Sequence, residues 1–295
     1  MANSESPRRG QIPPFETPQP IALSIELSRG MVHVIASDRT DSVVAVNPSD
    51  PGTPADVEAA SKTVVDLANG ALSITMPKPG GIAAPIVGWK RSGAVSVIVE
   101  LPEGSSLRAD TGVADFRCDG RLGDVDVRTG VGNVLLDRTG ALQLHSGMGR
   151  FALEKASANV KLVTAGEIRI GAVAGEADVK NRNGATWIGR VQGNVRAKSA
   201  NGGVTIEDAG GDVNVKTANG DIRLGQITRG SATVETAMGR IEIGIEEGTA
   251  AWIDANTRFG QINNGLSPAD HPDQSVETVQ VYARTAFGDV LITRS

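Results

Sequence analysis

At 295 residues, with 40% apolar and 21% charged positions, the chain has a globular composition and enough length to bury a sizeable core. Its formal net charge of -5 gives no general attraction to nucleic acid or to an anionic membrane, so no nucleic-acid partner is expected. Only 3% of residues are aromatic while 36 are glycine, so the core must come from Val, Ile, Leu and Ala carried on many short strands between tight turns. Cys118 is the single cysteine and excludes an intramolecular disulfide.

Residues 1–19 read as a disordered tail: Pro7, Pro13, Pro14 and Pro18 break any helix, and no apolar run follows Arg8 and Arg9 to make a signal peptide. No stretch reaches the roughly 18 apolar residues that span a bilayer. A cytoplasmic location is the expectation, with cell-surface association as the alternative.

Residues 20–104 read as an N-terminal β region that begins a solenoid and caps it. Strands are predicted over 21–27, 31–35, 43–46, 64–67, 72–76 and 95–101, with Asn69-Gly70 as a hairpin turn. Thr53 followed by Pro54 predicts the start of a short helix, with Thr53 as its N-cap. The Gly/Pro-rich stretch 77–93, which holds Trp89, is predicted to be a loop.

From 105 to 295 an internal repeat governs the pattern. Apolar-x-apolar pairs recur every eight to ten residues, from Leu107/Ala109 and Phe116/Cys118 through Val213/Val215 and Ile222/Leu224 to Ala251/Ile253. Thr186 is the one polar residue among these pairs. Alternation with a period of two turns one face of each short strand inward. The turns alternate between two types, so the true repeat is about 18 residues. One type reads Thr/Ser/Asn-x-x-Gly, as at Thr129, Ser146, Asn181, Ser199, Thr217 and Thr236, and places Asn183-Gly184, Asn201-Gly202 and Asn219-Gly220 at equivalent corners. The expected fold is all-β, a flattened β-solenoid with two short strands per coil. A loop insertion is predicted near 266–275, followed by a last coil ending at Ile292.

Gly-Asp-Val-Asp-Val at 123–127, Gly-Asp-Val-Asn-Val at 211–215 and Ala-Asn-Gly-Asp-Ile-Arg-Leu at 218–224 carry a resemblance. Over 21–292 the chain resembles the bacterial family labelled "putative adhesin", domains of unknown function related to the toastrack solenoids. The resemblance implies a fold rather than a chemistry, and it implies a setting beside phage-shock and envelope-stress components. It brings no catalytic residues to these positions.

The side chains point the same way. His33, His145 and His271 lack ligand-like spacing and read as surface or turn residues. Asp124, Asp212, Asp221 and Asp289 stand singly rather than in the Gly-Gly-x-Gly-x-Asp pattern of calcium β-rolls, so no metal or other cofactor is expected. No phosphate loop or nucleophile elbow is present. Cys118 falls on the inward register and reads as a buried thiol, and the Thr/Ser column reads as hydroxyls bonding local backbone. An interaction scaffold without enzymatic activity is the expected function, ahead of a surface adhesin and of a carbohydrate-active enzyme. Its candidate contact residues are an outward column of Arg128, Lys180, Lys198 and Lys216, with Lys161 and Arg196 nearby, and Trp89. The partner expected there is a protein or an anionic surface.

Overall fold

The computed structural model describes residues 13–77, 93–266 and 277–295. The chain divides into two compact units, residues 1–140 with 145–148, and residues 141–144 with 149–295.

In the first unit β1 (Phe15–Glu16), β2 (Ala22–Ser37) and β3 (Asp41–Pro48) precede a helix α1 (Pro54–Lys62). There follow β4 (Val64–Ala68), β5 (Ala71–Thr75), β6 (Val95–Pro102), β7 (Ser106–Arg121), β8 (Val125–Val131) and β9 (Val134–Thr139). The 21–27 and 31–35 segments are one continuous strand, β2, because a long partner holds both halves: β7 pairs with it in parallel from Ala22↔Ser106 to Ile35↔Asp119. On its other side β2 receives β5 along its first half and β6 along its second. β2 is therefore an interior strand although it comes first of the four in the chain. β4 and β3 close β5 and β6 with antiparallel pairing, and α1 packs on β3 and β6.

Local chemistry explains the irregular pieces. Asn69 and Gly70 adopt φ of 52° and 73°, the two left-handed positions of a tight hairpin turn joining β4 to β5. Pro54 stands in the first turn of α1 as expected, but Thr53 makes no capping hydrogen bond; its hydroxyl donates to Asp50 Oδ2 at 2.8 Å instead. The expected tail is tied down at its described end. Phe15 and Glu16 pair with Ser42 and Asp41, and the Thr17 and Ser42 hydroxyls meet at 2.8 Å in a buried contact that proline content alone could not reveal.

β10 (Leu142–Met148) spans the division between the units. The second unit continues with β11 (Phe151–Ala156), β12 (Val160–Thr164), β13 (Ile168–Val173), β14 (Ala177–Asn183), β15 (Thr186–Val191), β16 (Val195–Asn201), β17 (Val204–Ala209), β18 (Val213–Asn219) and β19 (Ile222–Ile227). It ends with β20 (Gly230–Met238), β21 (Ile241–Ile245), β22 (Ala250–Phe259), β23 (Ile262–Asn264), β24 (Thr278–Phe287) and β25 (Val290–Arg294). Each strand pairs in parallel with the next strand but one: β12, β14, β16, β18 and β20 form one face, and β13, β15, β17, β19 and β21 the other. This is the β-solenoid of two strands per coil. The apolar pairs fill it, with Val195, Ala197, Val213, Val215, Ile222 and Leu224 all buried.

The coils do not stack in chain order to the end. β24 lies between β20 and β22, and β25 between β21 and β23, so the last coil of the sequence is an inner one and β22–β23 form the outermost. For that reason Ala251 and Ile253, predicted to be core, are only half-buried.

Two columns hold neighbouring coils together beyond the sheet ladder. The Thr/Ser column is mostly buried, and its hydroxyls divide between two uses: Thr129 and Ser146 donate within their own turns, to the carbonyls of Val131 and Met148, whereas Thr236 and Thr285 reach a glycine carbonyl of the adjacent coil, Gly220 and Gly239, each at 3.1 Å. The Asp/Asn residues before the strands accept backbone N–H groups one coil away, as Asn194 does from Asp212 at 2.9 Å, Asp212 from Ser231 at 2.8 Å and Asp221 from Arg240 at 2.7 Å. The recurrent Gly-Asp of the repeat is thus an inter-coil clamp.

Candidate functional site

Outward positions of a β-face are set by the alternation that buries their neighbours. On β12, β14, β16, β18 and β20 they form two rows. One row runs Val163, Lys180, Lys198, Lys216, Glu235, each in register with the next. The other runs Lys161, Asp178, Arg196, Asn214, Thr233. In-register residues on adjacent strands lie roughly 4.8 Å apart at the backbone. All five cations are exposed.

Their electrostatics differ along the row. Lys216 Nζ makes an ion pair with Glu235 at 2.9 Å. Among the described residues Lys161, Lys180, Arg196 and Lys198 make no ion pair within 4.0 Å, and Asp178 is the one carboxylate among them. Like charges about 5 Å apart in water repel by under about 1 kcal/mol, which long lysine stems relieve. The face therefore folds without a counter-ion yet offers four unpaired cations to an anion.

The opposite face of the same unit holds some of its charges in local contacts, while its exposed Lys155 and Arg223 make no ion pair among the described residues. The Arg169 guanidinium lies 4.5 Å from the Trp187 ring centroid, Trp187 Nε1 donates to Glu207 at 3.1 Å, and Arg190 pairs with Asp208 at 2.7 Å. Its strands carry a third buried apolar residue, as at Val173, Val191 and Ile227, that the apolar-x-apolar pattern missed. The signal was present as a third apolar position three residues after each pair.

The remaining candidates separate. Arg128 belongs to the first unit, on β8, where Asp110 stands in register with it and Asp126 lies 3.9 Å away, so acids offset it locally. Trp89 and His271 lie outside the described residues. His145 is exposed, whereas His33 Nε2 meets Asp119 Oδ2 at 2.6 Å. Burial pushes the Cys118 thiol up to about 12, with the Asp119 charge adding to it, so it is no nucleophile in the folded chain. Among the described residues no three His, Cys, Asp or Glu side chains come together as a metal site. None of the helices among them is long and apolar enough to cross a membrane.

A regular parallel solenoid whose acids clamp coils together, and one face of which groups four unpaired cations in register, defines a structural class of repeat proteins that present rows of side chains. Residues 22–294 match the model of the family described as Toastrack DUF4097, and the chain belongs to that family. No curated protein matches it. Among solved structures it is similar to a "putative lipid binding protein" from Parabacteroides distasonis, at 12% identity and a TM-score of 0.40, covering 97% of each chain. It is similar to a "putative adhesin" from Bacteroides fragilis at 11% identity and a TM-score of 0.34, covering 97% of this chain and 98% of that one. At these values the likenesses say nothing about what this chain binds.

Proposed function

We propose that the chain is a non-enzymatic binding module whose contact face is the outward surface of β12, β14, β16 and β18. The observation that carries this reading is the group of four cations, Lys161, Lys180, Arg196 and Lys198, that stand without ion pairs in two registered rows on neighbouring strands of one face. A rigid ladder fixes the spacing of their backbones, so an extended anionic chain lying across the strands meets several at once, and each contact orders a side chain but requires no ordering of the backbone. An acidic glycan or acidic protein segment has that form. Lys216 contributes less, because Glu235 competes for it.

The test is binding of the Lys180→Glu/Arg196→Glu/Lys198→Glu variant to an acidic polysaccharide, with anionic and neutral vesicles alongside. All three side chains point outward, so the variant keeps the wild-type melting temperature. Wild-type binding that weakens with salt and is lost in the variant supports the proposal. Equal binding by both proteins, or none by either at low salt, overturns it.

A further inference from the structure

The outermost coil of the second unit, β22 with β23, has no strand on its outer side among the described residues. The first unit covers its own outer coil with antiparallel strands and a helix; here no such device is present among the described residues. The consequences are visible in burial. Among the described residues, the large apolar side chains that the second unit exposes are Met238, Trp252, Phe259, Ile262 and Phe287, and all belong to its last three coils. Phe259 stacks on Phe287 with ring centroids 4.9 Å apart, and among the described residues no further ring stacks on its other side. β22 carries neither proline nor lysine, the usual blunting residues of an open edge.

We propose that a second copy of this chain covers this end, through a two-fold axis that sets β22 antiparallel to β22 of the other copy with Asn256 on the axis. Such an axis keeps each face in line with its own counterpart, so both sheets continue across the junction and both copies use the same patch.

The strand is complementary to itself in that register. Outward-facing Asp254, whose only ion pair within the described residues is a loose one at 3.9 Å from Arg284, stands opposite Arg258 of the other copy, and the pair occurs twice. Half-buried Ile253 stands opposite the exposed Phe259 of the other copy, so each copy offers apolar surface to the other at this point. Trp252 stands opposite Gly260, where no Cβ obstructs the ring. A ten-residue strand at ~3.4 Å per residue, on a coil roughly 20 Å thick, gives an end-to-end contact burying on the order of 1,200 Å² in total, the lower range of specific stable interfaces.

The experiment is the molar mass of the full chain by sedimentation, over protein concentrations up to roughly 100 µM. The wild type is expected to dimerise. Asp254→Arg places arginine against Arg258 and is expected to weaken dimerisation at least about tenfold, while Asp254→Arg/Arg258→Asp restores it. Melting temperatures of all three establish that each is folded. A wild type that stays monomeric overturns the proposal, as when residues 267–276 or another partner cover the end. So does an Asp254→Arg variant that dimerises like the wild type, or a double variant that remains as weak as the single one.

Discussion

The Asn181 side-chain amide donates to the Thr186 hydroxyl at 3.1 Å, and both residues are buried. The two are matched exceptions: asparagine replaces the Thr/Ser of neighbouring coils just where threonine replaces an apolar residue. The same amide reaches the carbonyls of Gly166 and Gly184 at 2.9 Å each.

Breaking this network from one side leaves buried polar groups unsatisfied. Asn181→Leu is expected to destabilise by about 1–3 kcal/mol. Thr186→Val in the wild type is expected to cost more than the same change in an Asn181→Thr background, which restores the repeat found in neighbouring coils. Urea unfolding of the four proteins as a double-mutant cycle measures the coupling, and strict additivity refutes the network.

Gly220 and Gly248 both have left-handed backbones, with φ of 146° and 84°, but differ in surroundings. A Cβ at Gly220 would lie 2.4 Å from the Gly202 carbonyl oxygen, whereas Gly248 has open space. Alanine at either site carries backbone strain of about 1–2 kcal/mol. At Gly220 the collision adds to it, so Gly220→Ala is expected to lower the melting temperature well beyond Gly248→Ala. Equal losses would show that the corner relaxes.

Cys118 retains its proton to about pH 12 because burial disfavours the thiolate, with the Asp119 charge acting in the same direction. The folded chain is expected to resist iodoacetamide at pH 8 and to react once unfolded. The sign of the linkage follows. A thiol raised in the folded state gives stability that is complete below the unfolded value of about 8.5 and is lost as pH rises toward 12. Cys118→Ala removes that alkaline slope, which unfolding midpoints between about pH 8 and 11 would reveal.

Asp119 lies 3.0 Å from Arg117 Nε and 2.6 Å from His33 Nε2, and Arg117 first, then His33, holds its carboxyl below the ordinary range. Its contribution is complete above the unfolded value of about 3.9 and fades as pH falls through the lower folded value. The contribution is small because all three groups are partly solvated. Asp119→Asn is expected to flatten the acid limb of the stability profile below about pH 4 and leave the neutral region little changed.

The solenoid was legible because alternation and turn spacing are local: Val213/Val215 announce their own inward register, and Asn219-Gly220 its own corner. The lysine column was legible for the same reason, since in-register residues recur at the repeat length. What pairs with what at the ends was not. Nothing in the pattern at 278–287 says that this strand inserts between β20 and β22 rather than stacking beyond β22, because either place presents similar apolar partners. The surroundings of Arg128 were hidden likewise, since Asp110 comes from a coil that the column of basic residues did not include. The Gly-Asp column was visible as a pattern, but its role as a clamp depends on a backbone N–H from the next coil.

The position of β24 and β25 between earlier coils also orders events during synthesis. A ribosome delivers β22 and β23 before the strands that connect them to β20 and β21 exist, so that coil waits with both edges unpaired. The solenoid cannot be completed as a simple zipper from first coil to last. Its final step is an insertion, in which Thr278–Phe287 and Val290–Arg294 satisfy four strand edges at once. This makes the C-terminal segment the keystone of the second unit, and the interval before it arrives is the interval in which nascent chains expose the edges most able to pair with one another.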